Sequence, residues 1–496
     1  MVRNKQLWLL VSMLATLLML IFLITSSNFS TQGFASNYAY YEGGVDPRPT
    51  RRFKNLIVHI DLKGAPPRVD YLLKFFRLLS KNHVDGVLLE YEDMFPYSED
   101  LDVIRRTGSH YSEEDIERIT REASVLNLEV IPLIQTFGHL EFLLKKPKFM
   151  ELSEDPVDFN TVCVSDEKSI ATIQSMIRQI RRLHPNSTRI HIGADEAYHV
   201  AEDVRCQRRM ASEKIGKSEL KLKHIARIGK LAKEAGFREV FAWNDMFDKE
   251  PEDVIKGAEL PKWITPVVWG YRVDVTEEGY FPQGLFDRID NTFETFYVAS
   301  AYKGADGARQ PFSNISRYLE NQKSYSKLMD LHPSAARKVS GIFVTGWSRF
   351  NHFNALCELL PVSIPSLLVD LAYLNYGLQG SAAWAAMKTE LGCEQERYLR
   401  GVLSEWAVHG CKFPGWQIFE LIQHDWKRLV EHRIFGRRDT ETTSVDQKSS
   451  IEILSSLKEA LKPILFDEDI EEIFNQYLTD FHSIHSLQSS TVTPAS

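Results

Sequence analysis

Residues 189–199, RIHIGADEAYH, contain the unit that decides the fold of this chain. An apolar run typical of a β-strand opens onto Gly193, and two adjacent acids, Asp195 and Glu196, follow it. Bringing two carboxylates together is unfavourable because like charges repel and raise the pKa of one of them. A site that needs one ionised and one protonated acid gains from this arrangement. A solvated acidic turn is the alternative interpretation of the pair.

Seven further apolar runs of the same kind occur along the chain. With 189–192, the predicted strands are 56–60, 86–89, 129–134, 239–243, 265–269, 295–299 and 341–345. Amphipathic segments with apolar residues at helical spacing lie between most of them, at 69–82, 113–126, 168–183 and 220–235. Apolar strands that alternate with helices indicate a parallel sheet that is covered on its outside.

Eight such units in about 300 residues predict an α/β fold of the (β/α)8 TIM-barrel type. A Rossmann-like open sheet is the alternative, but no G-x-G-x-x-G follows the first run. The alternation ends near residue 361, after which helices are predicted at 367–376, 394–407, 416–432 and 450–461, with a loop at 437–449. A helical C-terminal region therefore follows the barrel.

The N-terminus differs in kind from the rest of the chain. Residues 7–24 are eighteen residues of which only Ser12 and Thr16 are polar, and Arg3 and Lys5 precede them. This length predicts a membrane-spanning helix, and the positive charges place its N-terminal side in the cytoplasm. We therefore expect an uncleaved signal anchor, hence a single-pass type II membrane protein with a luminal or extracellular catalytic domain. Cleavage as a signal peptide is the alternative.

The predicted organisation follows from these patterns. It comprises a cytoplasmic tail at 1–6, a signal-anchor transmembrane helix at 7–25, a linker at 26–52, a catalytic barrel at 53–380, a helical C-terminal region at 381–484 and a disordered tail at 485–496. Three N-x-S/T sequons, at Asn28, Asn186 and Asn314, are compatible with a glycoprotein whose body is luminal.

Composition excludes several classes of function. The net charge is −8 and the isoelectric point is about 6.1, so the basic footprint of a nucleic-acid-binding protein is absent and no nucleic-acid partner is expected. The five cysteines lie far apart without a C-x-x-C pair, which predicts neither a disulfide framework nor a zinc site.

Polar and aromatic side chains follow each predicted strand, at the end where barrel enzymes carry their active sites. The later strands end in aromatic residues: Trp243, Trp269 and Trp347 follow the fifth, sixth and eighth, and Tyr302 follows the seventh. A single tryptophan is usually core filling, but three at equivalent positions indicate a shared pocket. Aromatic walls stack on pyranose rings, so the pattern predicts a carbohydrate site.

His191, Gly193, Asp195 and Glu196 form an H-x-G-x-D-E sequence that resembles the catalytic motif of glycoside hydrolase family 20, the β-N-acetylhexosaminidases. The resemblance covers roughly residues 53–380. It implies that the three tryptophans enclose an acetamido group and that Tyr302 binds its oxygen. It also implies that His139 belongs to the site. The remaining predicted substrate-binding residues are Asp245, Asp61, Glu92 and Arg349.

The resemblance implies a retaining exo-β-N-acetylhexosaminidase that releases terminal GalNAc or GlcNAc from glycoconjugates. In that family the acetamido oxygen of the substrate attacks the anomeric carbon and forms an oxazolinium ion, an exception to the usual pair of reacting carboxylates. Glu196 is then the general acid and base, and Asp195 is the ionised partner of the acetamido N–H. Neither a metal nor an organic cofactor is implied.

Some positions depart from the family pattern. Ala194 replaces a usual glycine, Gly304 stands where an aspartate is common, and Lys63 is the nearest cation where many members carry an arginine after the first strand. No room exists for the small α/β domain that often precedes this barrel. These departures resemble the hexosaminidase D branch, whose members are soluble proteins of the cytosol and nucleus, which is the alternative to a membrane location.

Two other functions remain as alternatives. A metal-dependent barrel hydrolase would use His139, Asp195, Glu196 and Asp245 as ligands, although no short histidine spacing supports it. A non-catalytic glycan-binding membrane protein would keep the aromatic pocket but has no need for both acids. The expected partners are a glycan substrate and, through residues 7–25, a membrane. The oligomeric state is left open, with a homodimer among the alternatives.

Overall fold

The computed structural model describes residues 51–378, 387, 390–393, 410–435 and 440–489. Eight parallel strands form a closed barrel in chain order, and the last strand pairs with the first. The strands are β1 Asn55–Asp61, β2 Gly86–Glu90, β3 Glu129–Leu133, β4 Arg189–His191, β5 Glu239–Trp243, β6 Thr265–Trp269, β7 Phe296–Lys303 and β8 Val339–Gly346. The predicted barrel is thereby confirmed, with every predicted strand present.

Two hydrophobic cores explain why the strands are apolar on both faces. Alternate residues point to opposite faces of a strand, so each strand serves both cores. The inner core fills the barrel with Ile57, Leu88, Ile131, Leu133, Phe241, Trp243, Val267, Tyr297, Ala299 and Phe343. The outer core lies between strands and helices, where full burial of one large aliphatic or aromatic side chain contributes roughly 1.5–3 kcal/mol.

Helices cover the outside of the barrel and continue beyond it. Within the described residues, the α-helices are Val69–Lys81, Glu113–Val125, Glu141–Leu144, Glu167–Leu183, Val204–Glu213, Lys217–Glu234, Glu252–Gly257, Leu260–Trp263, Leu285–Thr292, Ile315–Leu331, Pro333–Ala336, Leu360–Tyr376, Trp416–Phe419, Lys427–Phe435, Thr440–Leu461 and Asp467–Ser489. Short 3-10 helices span Glu92–Met94, Glu99–Ile104 and Met150–Leu152, and a π-helix spans Glu420–Trp426.

Local sequence sets several helix ends. Ser112 and Asp115 form a capping box at the start of Glu113–Val125, and Asp166 caps Glu167–Leu183 through the Lys168 N–H. Both helices begin within a residue of their predicted starts, because capping depends on near neighbours in the chain.

The C-terminal region is more helical than the sequence predicted. Thr440–Leu461 is one helix, so the loop predicted at 437–449 is wrong from Thr440 onward. Asp467–Ser489 extends into the predicted tail at 485–496. The predicted helix at 394–407 lies outside the described residues. Residues 440–449 are rich in Thr and Ser, which have weak helix preference, so the local pattern predicted a loop there.

Helix Asp467–Ser489 also contacts the loops of the barrel. The Arg106 guanidinium is bonded to Asp469 at 2.7 and 3.1 Å, and Gln476 exchanges hydrogen bonds with the backbone of Leu356 at 2.8 and 2.9 Å. A disulfide joins Cys393 to Cys411. The helical C-terminal region therefore packs on the barrel, as predicted.

The prediction of a membrane-spanning helix, and with it that of a type II membrane protein with a luminal body, is corrected. Across the residues that the structure describes, no helix combines the length and the apolar composition needed to cross a membrane. The predicted anchor at 7–25 itself lies outside those residues.

Candidate active site

A pocket of about 430 Å³ opens at the carboxyl ends of the barrel strands. This is the end at which barrel enzymes place their active sites. Its walls are formed by Lys63, His139, Glu141, Asp158, Asn160, Asp195, Glu196, Tyr198, Trp243, Trp269, Tyr271, Gly304, Ala305, Trp347, Arg349, Phe350, Asn351 and Asn354. Both predicted catalytic acids and all three predicted tryptophans thus meet in one cavity.

The acid pair sits on a strained loop directly after β4. Gly193, Ala194 and Glu196 all have left-handed backbone angles, with φ of +61°, +68° and +44°. For the two non-glycine residues this conformation costs free energy that the surrounding structure must supply. A Cβ on Gly193 would lie 1.9 Å from Oε1 of Gln135, so any other residue there would have to displace that buried amide as well as adopt the left-handed backbone.

The loop after β3 packs closely against the backbone of the Asp195–Glu196 pair. A Cβ on Gly138 would lie 2.1 Å from the Asp195 carbonyl oxygen, so only glycine permits this approach. The next residue, His139, is then held with its Nε2 atom 3.1 Å from Glu196 Oε2 and 3.6 Å from Asp195 Oδ2. The Gly138-His139 pair therefore brings an imidazole to both carboxylates.

Burial and charge set the protonation of this cluster. Burial opposes the charge of His139, but the Asp195 carboxylate and the hydrogen bond to Glu196 outweigh it and raise the His139 pKa to about 9. Burial, against the His139 charge and with Asp245 and Glu196 nearby, raises the pKa of Asp195 to about 7. Burial also disfavours the charge of Glu196, but its bond to His139 lowers the pKa below the usual value.

Asp245 lies behind the Asp195–Glu196 pair and does not line the pocket. Its Oδ2 atom accepts the backbone N–H of Glu196 at 2.8 Å, and its Oδ1 atom accepts the indole N–H of Trp269 at 3.0 Å. Burial raises the pKa of Asp245 to about 6, although these two hydrogen bonds favour its charged form. Asp245, predicted to bind substrate, does not line the pocket but bonds the loop of Glu196 and one residue of the aromatic wall.

The aromatic residues form a continuous wall. The rings of Trp269 and Tyr271 stack at 5.2 Å between centroids, and the Tyr271 and Trp347 rings lie 6.4 Å apart edge to face. Trp347 and Trp243 follow at 6.0 Å. His191 supports this wall: its ring lies 4.3 Å from Trp243, and its Nδ1 accepts the Gly193 N–H at 2.9 Å.

Tyr302 does not reach the pocket. It is fully buried in the outer core, where its hydroxyl donates to the His59 carbonyl at 3.3 Å. Phe296 and Val298, which lie at alternate positions of β7, belong to the same core, so the two-residue period of a strand was the signal that could have excluded it. Tyr271 lines the pocket instead, and among the described residues its buried hydroxyl has no partner in regular hydrogen-bond geometry, with the Thr345 and Trp347 side chains near it.

Asp61 and Glu92 lie behind the pocket wall, around Lys63. The Lys63 Nζ atom is 3.6 Å from Asp61, 3.5 Å from Glu90 and 3.2 Å from Glu92. Asp61 also accepts the backbone N–H of Ser348 at 2.8 Å, and Glu92 is bonded to His352. These carboxylates hold a lysine at the pocket and join the loops after β1, β2 and β8. They are not themselves part of its lining.

Arg349, another predicted substrate-binding residue, lines the pocket and is almost fully buried. Besides Lys63, Glu141 and Tyr271, five further polar lining residues were not among the predicted site residues: Asp158, Asn160, Tyr198, Asn351 and Asn354. They come from the long loops after β3, β4 and β8. Only the position of Tyr198, two residues after Glu196, offered a signal, and that signal was adjacency to the acid pair.

Comparison with known proteins places this geometry in a family. Residues 87–358 match the family described as "Glycosyl hydrolase family 20, catalytic domain". The chain is 38% identical over 323 residues to Hexosaminidase D of Bos taurus, a match that covers 65% of this chain and 92% of that protein. It is 36% identical over 328 residues to Hexosaminidase D of Homo sapiens, which covers 66% of each.

A solved structure shares the fold. The crystal structure of a β-N-acetylhexosaminidase from Bacteroides fragilis matches with a TM-score of 0.51 at 15% identity and covers 68% of this chain and 70% of that one. The sequence matches identify the protein as a glycoside hydrolase of the β-N-acetylhexosaminidase type, with hexosaminidase D as the branch it resembles. The chain belongs to glycoside hydrolase family 20.

Proposed function

We propose that the protein is a retaining exo-β-N-acetylhexosaminidase that releases terminal GalNAc or GlcNAc by substrate-assisted catalysis. The observation that carries the proposal is a pair of unpartnered groups in the pocket. Within the described part of the chain, the buried Asp195 Oδ1 has no hydrogen-bond partner, and the buried Tyr271 hydroxyl has none in regular geometry, although the Thr345 and Trp347 side chains lie near it. Buried polar groups without partners are costly, so a ligand that bonds both is favoured.

An acetamido group supplies that complement. Its N–H donates to the Asp195 carboxylate, and its carbonyl oxygen accepts the Tyr271 hydroxyl proton while its methyl contacts the tryptophan wall. The carbonyl oxygen is then held for attack on the anomeric carbon, which forms the oxazolinium ion. Asp195, once ionised, stabilises the positive charge that develops on the acetamido nitrogen.

Glu196 acts on the other side of the same bond. Its carboxyl group protonates the leaving glycosidic oxygen and then, as a carboxylate, removes a proton from the water that opens the oxazolinium ring. Two displacements at one carbon return the original β configuration. Neither step requires a metal or an organic cofactor.

Substrate binding also corrects the position of the proton. Asp195 has the higher pKa of the two acids in the free protein, so the single proton of the pair lies on Asp195. The proposed mechanism needs this proton on Glu196. The acetamido N–H favours the charged form of Asp195, and the sugar excludes water from the Glu196 side chain, which is 37% exposed. Both effects move the proton toward Glu196.

The metal-dependent alternative fits the donor geometry poorly. The two carboxylate oxygens of Asp245 already accept N–H groups, and His139 Nε2 faces both catalytic acids. In the portion of the chain described, the two groups with metal-ligand spacing lie elsewhere, at Glu154, Cys163 and Cys206 and at Asp155, His199 and Glu202. A non-catalytic glycan-binding protein has no need for the two acids. It therefore does not explain why both are present and held on a strained loop.

A matched substrate series tests the proposal. Aryl β-N-acetylglucosaminide and β-N-acetylgalactosaminide should be cleaved, and the β-glucoside, which lacks the acetamido group, should be turned over poorly. A thiazoline mimic of the oxazolinium ion should bind tightly, as intermediate mimics do. Equal rates on the β-glucoside and the N-acetylglucosaminide would refute the substrate-assisted mechanism.

A further inference from the structure

Glu141 is a carboxylate on the pocket that the proposed mechanism does not use. It is the first residue of the short helix Glu141–Leu144 in the loop after β3, and its side chain lines the pocket while the residue is only 2% exposed. Its Oε2 atom has no hydrogen-bond partner within the described residues. A buried carboxylate is costly unless a donor reaches it, so this position calls for an explanation.

Each cation that lines the pocket forms ion pairs with other acids. Lys63 lies among Asp61, Glu90 and Glu92, His139 faces the catalytic pair, and Arg349 is bonded to Glu472. In the part of the chain described, none of these cations forms an ion pair with Glu141, although Lys63 and His139 lie near enough for its charge to raise their pKa values. A ligand hydroxyl that reaches the pocket can supply the donor that Glu141 Oε2 lacks.

The proposed binding mode leaves part of the sugar for Glu141. The acid pair follows β4, and the aromatic wall that we propose to enclose the acetamido group comes from β5, β6 and β8. In that mode these elements take up the first two carbons of the ring. Glu141 comes from the loop after β3, close enough to Lys63 and His139 to act on their charges. It is therefore available to the ring hydroxyls that the acetamido site does not bind.

No other lining carboxylate is free for this role. Asp158 is bonded to Nε2 of His199 at 3.1 Å. The loop after β7 contributes only Gly304 and Ala305 to the pocket, so it offers no acidic side chain there. A hydroxyl that donates to a carboxylate in a dry pocket forms a charge-assisted hydrogen bond, which is stronger than a neutral one.

We infer that Glu141 is a specificity-determining residue that accepts a hydrogen bond from a ring hydroxyl on the C3, C4 or C6 side of the bound N-acetylhexosamine. This inference rests on the proposed function. It assigns recognition of the hydroxyl edge to the loop after β3, in a pocket to which the loop after β7 contributes no acidic side chain. Removing the carboxylate should weaken recognition of that edge while leaving the acetamido site intact.

Glu141→Gln is the test variant, and Glu151→Gln is its control, since Glu151 is a largely exposed acid of the same loop outside the pocket. We expect Glu141→Gln to lower kcat/KM by about 10- to 100-fold, on the scale of losing one charged hydrogen bond to substrate. The ratio of kcat/KM between the GlcNAc and GalNAc substrates should change. The thermal midpoint should stay or rise, because an unpartnered buried charge has been removed.

Deoxy substrates locate the bond. One of the 3-, 4- or 6-deoxy aryl N-acetylhexosaminides should lose most of its kcat/KM with the wild type, yet show no further loss with Glu141→Gln, since both changes remove the same interaction. Independent losses for all three deoxy positions, or an unchanged kcat/KM in Glu141→Gln, would overturn the inference.

The two proposals fail in different ways. If the wild-type protein cleaves the β-glucoside as fast as the β-N-acetylglucosaminide, the substrate-assisted mechanism is refuted, whatever the result for Glu141→Gln. Calorimetric binding of free GlcNAc and GalNAc provides a readout without turnover. If both sugars bind Glu141→Gln as tightly as they bind the wild type, the role of Glu141 is refuted.

Discussion

The guanidinium of Arg349 donates to both carboxylate oxygens of Glu472, with Nη2–Oε1 and Nη2–Oε2 distances of 2.8 and 2.9 Å. Arg349 comes from the loop after β8 and lines the pocket, whereas Glu472 lies on helix Asp467–Ser489. Gln476 of the same helix holds the backbone of Leu356 in that loop. The C-terminal helix therefore shapes one wall of the barrel's pocket.

Glu472→Ala should reduce activity although Glu472 does not line the pocket. The change leaves a nearly buried guanidinium without its partner and frees the loop after β8. Because the Glu472 side chain is 38% exposed, we expect a stability loss of only about 1–2 kcal/mol. A roughly 10-fold fall in kcat/KM would follow from misplacement of Trp347 and Arg349.

Glu471→Ala on the same helix is the matched control, since Glu471 pairs with Lys458 at the surface. Steady-state kinetics and thermal unfolding of the two variants, measured side by side, provide the comparison. Identical kcat/KM values would show that the C-terminal helix has no influence on the pocket.

Glu196→Gln and Asp195→Asn should differ in their dependence on the leaving group. Glu196→Gln should lose most activity on substrates with poor leaving groups but far less on activated aryl glycosides, which barely need protonation. Asp195→Asn should lose roughly 100-fold or more on both, because the acetamido group reacts in every case. The measurement is kcat/KM across a series of aryl leaving groups. A uniform loss for Glu196→Gln would contradict its role as general acid.

The pH dependence of kcat/KM should be bell-shaped, with its alkaline limb near pH 7. The active pair carries one proton, and the pKa of Asp195 in the free enzyme is about 7, so this proton is lost above that pH. The acid limb should lie below the usual range of a glutamate, because the Glu196 pKa is lowered. His139, with a pKa of about 9, stays protonated throughout this range.

Asp195→Asn should move the alkaline limb to lower pH, since the variant retains only Glu196 and removing a nearby negative charge lowers the Glu196 pKa further. Residual activity can be followed with an activated substrate from pH 4 to pH 9. An alkaline limb that stays near pH 7 in the variant would assign that limb to another group.

Tyr271→Phe and Tyr302→Phe form a matched pair that separates the two tyrosines. Tyr271→Phe removes the hydroxyl that we propose to hold the acetamido oxygen, so kcat/KM should fall by about 10- to 100-fold. Tyr302→Phe removes a hydroxyl bonded to the His59 carbonyl, away from the pocket, and should change kcat/KM by less than about 3-fold. Kinetics on one N-acetylhexosaminide decide between them, and the reverse order would restore Tyr302 to the site.

Features that depend on near neighbours in the chain could be predicted. The strands and the amphipathic helices follow from local periodicity, and the adjacency of Asp195 and Glu196 is visible in the sequence directly. Together they led to the prediction of the barrel and of the end that carries the acid pair. The Gly138-His139 pair was also visible, although its reason, a backbone approach of 2.1 Å to Asp195, was not.

Features that depend on packing between distant segments were decided only by the tertiary structure. Whether Tyr302 or Tyr271 enters the pocket depends on the direction in which the folded barrel points each side chain. The bond between Arg349 and Glu472 joins residues 123 positions apart. The pKa order of Asp195 and Glu196 follows from how far each is buried and from the imidazole between them. The sequence by itself determined the barrel and the residues at its rim, because periodicity is local. Their directions and charges were decided by the folded chain, because burial is a property of the whole molecule.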